Sequence, residues 1–178
     1  MKTFHDEPIL YVSSIITGFM EIPTQISMNI YVSGCMKRCK NCQNSSLWEF
    51  KKDHILDEKV LKMALKHHSM ANWICFLGGD AVYQPKGLEK IAEVAKKEGK
   101  LVCLYTGLCF SELNEINKDN IDLIIDGEWE EEKGPVNTST TNQKCYIKEN
   151  NEWQVIEFYN LKDIKWDTKQ HKDSMKDS

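Results

Sequence analysis

The feature that most constrains the fold is a regular alternation of short apolar runs with helical patterns. Four runs have the length and content of buried strands, and they cover residues 28–32, 73–77, 101–105 and 121–125. One helical pattern follows Asp57, a second begins at Pro85 and stops before Gly99, and a short helical piece is expected over residues 111–117. Strands that alternate with helices are expected to lie parallel, with right-handed crossovers. The sequence therefore predicts an α/β fold with a mostly parallel sheet.

Weaker patterns flank this alternating region. Residues 9–16 predict an N-terminal strand or hairpin. Residues 145–147 and 153–158 predict a C-terminal β-hairpin that turns at Asn150-Asn151. The polar loop 128–142, between the fourth strand and this hairpin, contains too few apolar residues for regular structure.

The composition narrows the class of protein. A chain of 178 residues with a net charge of -4 has no broad basic field, which argues against nucleic acid as a partner. It contains no apolar run of the length that a membrane span needs, and its first residues lack a signal peptide's apolar region, so we expect a cytoplasmic protein. We also expect one domain over residues 1–162. The charged tail over residues 163–178 is predicted to bury too little apolar surface to stay ordered.

Three of the seven cysteines form the pattern C-x3-C-x2-C directly after the first buried strand. They are Cys35, Cys39 and Cys42. Thiolates are soft ligands suited to zinc or to an iron–sulfur cluster, and a four-iron cluster takes one protein ligand per iron. Three ligands would leave one iron open for chemistry.

The other four cysteines are scattered along the chain: Cys75, Cys103, Cys109 and Cys145. An odd total argues against a fully paired disulfide scaffold and favours a reducing compartment. Cys75 and Cys103 lie inside apolar strand-like runs, where a small buried hydrophobic role is expected. These four residues do not form a second cluster motif.

Each predicted parallel strand is followed by a motif that is able to contact a ligand. The second strand is followed by Gly78-Gly79-Asp80, the third by Thr106-Gly107 and the fourth by Asp126-Gly127, while the first is followed by the cysteines. Since the carboxyl ends of parallel strands lie at one edge of the sheet, these motifs are expected to meet there, where such folds bind ligands. Glycines allow close backbone approach, and Asp80 is suited to receiving a cationic amino group.

Together these motifs resemble the radical S-adenosylmethionine (SAM) enzymes, whose signature is C-x3-C-x2-C followed by a glycine-rich segment. Within this superfamily, the sequence resembles in particular the activases of anaerobic, class III ribonucleoside-triphosphate reductases. The segments that carry this likeness are 32–35, Asn44, Trp48, 76–81, 121–127 and 140–143. The resemblance implies a curved sheet that forms a truncated, partial (β/α) barrel.

The resemblance also implies a site and an activity. Cys35, Cys39 and Cys42 would hold a 4Fe-4S cluster, and SAM would chelate the open iron. One electron, from a donor such as a flavodoxin, would cleave SAM to methionine and a 5'-deoxyadenosyl radical that abstracts hydrogen from a glycine of the partner reductase. The further cofactor contacts that the family implies are Gly78, Gly79, Asp80, Thr106 and Asp126. No catalytic side chain beyond the cluster ligands is implied.

Three positions depart from the family pattern. Asn41 replaces the aromatic residue common in the superfamily and the glycine usual in these activases. Asp80 stands where glutamate is commoner, and Lys144 stands where arginine is more usual, although lysine does not reproduce arginine's bidentate geometry.

Two alternatives remain open on the sequence. The first is a small-molecule radical enzyme similar to 7-carboxy-7-deazaguanine synthase. The second is a zinc-stabilised binding protein, for which His54 or Cys75 would supply the fourth ligand of a closed shell. The basic residues Lys37, Arg38 and Lys40 and the acidic run 128–132 are predicted to be solvated. The chain also has no added cysteine-rich ferredoxin module, which argues against the larger activases.

Overall fold

The computed structural model describes residues 9–166 and contains an eight-stranded mixed sheet with helices packed on it. The strands are β1 (Leu10–Gly18), β2 (Ser27–Val32), β3 (Ile55–Leu56), β4 (Trp73–Gly78), β5 (Leu101–Tyr105), β6 (Leu123–Asp126), β7 (Lys144–Glu149) and β8 (Glu152–Ile156). The α-helices are α1 (Glu58–His67) and α2 (Pro85–Lys97). Short 3₁₀ helices cover Ser45–Leu47, Ala81–Tyr83, Phe110–Glu115 and Phe158–Asp163.

The centre of the sheet is parallel, as the alternating pattern predicts. The strand order is β3-β1-β2-β4-β5-β6-β7-β8, and the pairs β2–β4, β4–β5 and β5–β6 are parallel. The pairs that involve β1, β7 and β8 on the two flanks are antiparallel. The α/β class is therefore confirmed, and the carboxyl ends of β2, β4, β5 and β6 lie along one edge.

Both predicted α-helices are confirmed, and local signals explain their ends. The Asp57 side chain caps α1 by accepting a hydrogen bond from the Val60 amide at 2.8 Å. Helix α2 begins at Pro85, which suits the first turn because its missing N–H would have no partner there. Gly99 follows α2 with φ +75°, a left-handed conformation that glycine adopts without strain. Within residues 9–166, no helix has both the length and the apolar character that a bilayer crossing requires.

The two faces of the parallel strands carry two separate apolar clusters. Ile74 and Phe76 pack with the residues of α1 and α2, whereas Trp73 and Cys75 face the opposite cluster, as period-two alternation requires. This second cluster is covered by side chains that include Ile22, Phe158, Leu161 and Trp166. Cys75 and Cys103 are fully buried within it on adjacent strands, so their predicted role as buried hydrophobes is confirmed.

The flanking hairpins also form where the sequence predicts them. β1 and β2 form an antiparallel pair, and β7 and β8 are joined through Asn150 and Asn151, both with positive φ. Asparagine tolerates this left-handed conformation better than most residues, which favours the tight turn.

Three details differ from the sequence patterns or extend them. The two-residue strand β3 was not predicted. The fourth parallel strand begins at Leu123 rather than residue 121, and just before it the Asp122 side chain accepts hydrogen bonds from the Val102 amide and from Lys96. Ile164 and Trp166 pack against the second cluster, and the prediction for the tail beyond them lies outside the described residues.

Candidate metal centre

A cleft at the carboxyl edge of the parallel strands brings together most of the residues that the sequence motifs single out. The predicted residues that line it are Cys35, Cys39, Cys42, Gly78, Gly79, Asp80 and Thr106. Its wall also includes Gly127, from the motif after β6. The expectation that these motifs meet on one edge is therefore correct.

The cysteine loop, residues 35–42, is fixed at its start by backbone hydrogen bonds to the next turn of chain. The Gly34 amide donates to the Leu47 carbonyl at 2.7 Å, and the Cys35 amide donates to the Trp48 carbonyl at 2.9 Å. Gly34 has φ +102°, and a Cβ there would lie 2.3 Å from the Phe50 ring. Only glycine fits this position, where the chain leaves β2 and turns into the loop.

The three thiols of this loop are free and partly shielded from solvent. Cys39 is buried, and Cys35 and Cys42 are half-buried. Burial raises the pKa of Cys35 and of Cys39, although backbone N–H groups around both sulfurs oppose that shift. Metal binding to these thiols would therefore release protons, because the ligand is the thiolate.

The arrangement of the thiols fits a cluster better than a single zinc ion. Across residues 9–166, no three histidine, cysteine, aspartate or glutamate side chains converge as ligands of one metal ion. A zinc shell needs such convergence, whereas a four-iron cluster takes each cysteine on a separate iron. Three soft donors spaced around one cleft therefore match a cluster that takes each cysteine on a separate iron.

The glycine motif after β4 lies directly against the cysteine loop. The Gly79 amide donates to the Val32 carbonyl at 2.7 Å, and the Asp80 amide donates to the Gly34 carbonyl at 2.9 Å. A Cβ on Gly79 would lie 2.5 Å from the Gly34 oxygen. The second glycine is therefore required by the close approach of two backbones beside the thiols.

The Asp80 carboxylate joins two of the predicted motifs. It accepts hydrogen bonds from Thr106 Oγ1 at 2.8 Å, from the Gly107 amide at 2.9 Å and from the Val82 amide at 3.2 Å. Burial raises the pKa of Asp80 to about 6, against the lowering effect of these donors. A carboxylate has about four acceptor positions, so one remains for a cationic amino group. The predicted contact of Asp80 and Thr106 with the cofactor stays a prediction.

Asp126 lies beside the cleft rather than in its wall. Its carboxylate accepts hydrogen bonds from the Phe110 amide at 2.5 Å and from the Lys144 amide at 3.2 Å. It lines a neighbouring cavity with Cys109 and Tyr146, and burial raises the pKa of Asp126. The structure therefore brings Gly127, but not the Asp126 side chain, to the cleft, and the predicted cofactor contact of Asp126 has no support from this placement.

Several residues of the cleft wall were missed from the sequence. Leu77 and Tyr105 lie near the ends of their strands and line the cleft, so position alone was a usable signal. Trp129 also lines it, two residues after the motif that follows β6. The acidic run that contains Trp129 is not simply solvated, because Glu128 pairs with Lys37 at 3.5 Å and Glu131 accepts from Asn41 at 2.6 Å.

The departure at Asn41 has a backbone explanation. Asn41 has φ +56°, in the left-handed region where glycine is favoured and asparagine is the best tolerated alternative. The residue therefore preserves the conformation that glycine would supply, while its side chain gains a partner in Glu131.

The fold and this site define a protein of the radical SAM type: a mixed α/β sheet with a parallel centre that carries three cysteines and a glycine-rich turn at one edge. The chain matches the family model described as "4Fe-4S single cluster domain" over residues 25–169 and belongs to that family. Its cofactors are a 4Fe-4S cluster and SAM, as the sequence resemblance predicts.

Curated relatives agree with this class. The chain is 28% identical over 109 residues to the anaerobic ribonucleoside-triphosphate reductase-activating protein of Enterobacteria phage T4, covering 57% of this chain and 69% of that protein. It is 24% identical over 116 residues to the protein of the same name from Vibrio cholerae, covering 58% of this chain and 74% of that protein. Among solved structures, QueE from Escherichia coli aligns with a TM-score of 0.43 and 14% identity, over 56% of this chain and 52% of that one.

Proposed function

We propose that this chain activates an anaerobic ribonucleoside-triphosphate reductase by generating a radical on one of its glycines. The observation that carries the proposal is the meeting of three free thiols and the Gly78-Gly79-Asp80 turn in one cleft. Relatives with the name of activating protein for that reductase support the choice of partner.

The bound cofactors would supply the radical chemistry: one electron cleaves SAM to methionine and a 5'-deoxyadenosyl radical, which takes a hydrogen atom from the partner's glycine. The role of this chain is to bind, orient and shield. Cys35, Cys39 and Cys42 would each bind one iron as thiolates, and the fourth iron would stay free for SAM. No side-chain acid or base is needed, because the reaction transfers an electron and a hydrogen atom.

Asp80 would orient the cofactor's cationic amino group. With a pKa of about 6, its carboxylate is mostly charged at neutral pH and attracts an ammonium group. Its three hydrogen bonds hold it at the base of the cleft, between the β4 and β5 turns. Leu77 and Tyr105 line the same cleft and would help to exclude water from the reacting groups.

The electron is proposed to come from a small reduced carrier such as a flavodoxin in the cytoplasm. The exposed side of the cysteine loop carries Arg38 and Lys40, which suit an acidic protein surface. Arg38 already pairs with Glu49 at 2.7 Å, so Lys40 is the more available charge.

The test uses anaerobically purified full-length chain, reconstituted with iron and sulfide. We expect about four irons per chain. With SAM, a reductant and the partner reductase, electron paramagnetic resonance should show a glycyl radical doublet. The matched control is Cys39→Ala, which should give neither cluster nor doublet. Formation of 5'-deoxyadenosine without any doublet would instead indicate a small-molecule substrate, and a colourless protein with one tight zinc would refute the cluster.

A further inference from the structure

Residues 128–131, named here the strap, contact the cysteine loop beside the cleft, which Trp129 lines. Four contacts join the two segments. The Trp129 indole N–H donates to the Asn41 carbonyl at 3.0 Å, and Asn41 Nδ2 donates to Glu131 Oε2 at 2.6 Å. Lys37 pairs with Glu128 at 3.5 Å, and the Trp129 backbone N–H lies close to the Cys39 sulfur, where it opposes the rise in the pKa of that thiol. The strap thus contacts the loop on both sides of Cys39.

The contacts differ in how strongly they hold the strap on the cysteine loop. The Lys37–Glu128 pair is long and partly solvent-exposed, so it contributes little. The bond from Asn41 to Glu131 is short and has a carboxylate acceptor, and it lies in an exposed position. Asn41 joins the strap through both its side chain and its carbonyl, and it does so from a left-handed backbone conformation. The strap is therefore held mainly through Asn41.

The fourth contact reaches a predicted iron ligand directly. Hydrogen bonds to ligand sulfurs are among the factors that set the reduction potential of an iron–sulfur cluster, because they stabilise the more negative reduced state. The indole bond to Asn41 fixes the position of Trp129 and hence of its backbone N–H. Removal of the indole N–H should therefore shift this backbone N–H relative to the Cys39 sulfur without changing any ligand.

We propose that the strap is a positioning device for the cluster ligands. Trp129, Asn41 and Glu131 hold the cysteine loop in the shape that binds the cluster and place the Trp129 backbone N–H beside the Cys39 sulfur. They are positioning residues, since they act through the cysteines. The proposal rests on the cluster of the proposed function, although the loop shape is a property of the chain itself.

The first test compares Trp129→Phe with Trp153→Phe in cluster-loaded protein. Trp153 packs on Phe110, away from the cleft wall, and serves as the matched control. Loss of outer partners of metal ligands typically costs 10–100-fold in affinity, so Trp129→Phe should release iron to a chelator about tenfold faster than wild type. Its reduction potential should become more negative. If both variants match wild type in release rate and potential, the proposal is overturned.

A second series separates backbone shape from side-chain contact. Asn41→Gly keeps the left-handed backbone and the carbonyl but loses the bond to Glu131, whereas Asn41→Ala also strains the backbone. Iron release should be slowest in wild type, faster in Asn41→Gly and fastest in Asn41→Ala. Glu131→Ala should resemble Asn41→Gly, while Glu132→Ala, with the same charge change one residue away, should resemble wild type. Equal release from all variants would contradict the proposal.

The last measurement needs no metal. Hydrogen exchange of the amides of residues 36–42 is followed in iron-free, reduced protein. Trp129→Phe and Glu131→Ala should exchange faster than wild type, and Trp153→Phe and Glu132→Ala should not. Unchanged exchange in the strap variants overturns the proposal. The exchange experiment does not depend on the cluster. If wild type failed to take up iron on reconstitution, that result would count against the proposed function and not against the role of the strap.

Discussion

Thr106 Oγ1 donates a hydrogen bond of 2.8 Å to the buried carboxylate of Asp80, which joins the turn after β5 to the turn after β4. The same carboxylate oxygen accepts from the Gly107 amide at 2.9 Å. One aspartate therefore holds two of the loops that form the cleft.

Replacement of Asp80 by asparagine should change the pH dependence of folding stability. The pKa of Asp80 is raised in the folded protein from 3.8 to about 6, so the folded state binds more protons than the unfolded state in this range. This contribution is complete below pH 3.8 and is lost as pH rises through about 6. The free energy of unfolding of wild type, relative to Asp80→Asn, should fall on the order of 3 kcal/mol between pH 4 and pH 7. Urea denaturation of iron-free protein measures it, and parallel pH profiles would contradict the expectation.

Replacement of Gly79 by alanine should destabilise the protein and impair iron binding. The added Cβ would lie 2.5 Å from the Gly34 carbonyl oxygen, so the cysteine loop would have to move away from β4. Overpacking of this kind costs about 1–3 kcal/mol, which denaturant titration resolves. Gly107→Ala is the control, because the nearest atom to its Cβ would be 3.6 Å away. Equal stability of the two variants would show that the close approach has no cost.

Cysteine substitutions should distinguish the predicted iron ligands from cysteines that bind no iron. Cys39→Ala should lose the cluster and its visible absorbance, because it removes one of three ligands. Cys109 is exposed and lines the neighbouring cavity instead, so Cys109→Ala should bind iron like wild type. Iron and sulfide assays after anaerobic reconstitution test both. Retention of the cluster in Cys39→Ala with its loss in Cys109→Ala would overturn the ligand assignment.

Removal of the Asp122 carboxylate should destabilise the fold away from the cleft. Lys96 is only 5% exposed, and its ammonium lies 2.7 Å from Asp122. Asp122→Ala leaves that charge buried without its partner and also removes the acceptor of the Val102 amide, so the free energy of unfolding should fall by about 3–5 kcal/mol. Asp119, which is 85% exposed and 4.0 Å from Lys148, is the control. A loss of the same small size in Asp119→Ala and Asp122→Ala would disprove the role of the buried pair.

The sequence predicted those helices and strands that a local pattern of residues specifies. The four parallel strands are continuous apolar runs, and their shared direction places Cys35, Gly79 and Thr106 together without any knowledge of side-chain contacts. β3 was missed because two residues show no periodicity. The strap was missed because Trp129 contacts Asn41 across 88 positions, and such a pairing leaves no pattern in either segment.

The amides of Gly79 and Asp80 extend the hydrogen bonding between β4 and β2 to Val32, the last residue of β2, and to Gly34 beyond it. The start of the cysteine loop is thereby built as a continuation of the sheet. The register between β2 and β4 therefore also sets where Cys35 lies relative to the Gly78-Gly79-Asp80 turn.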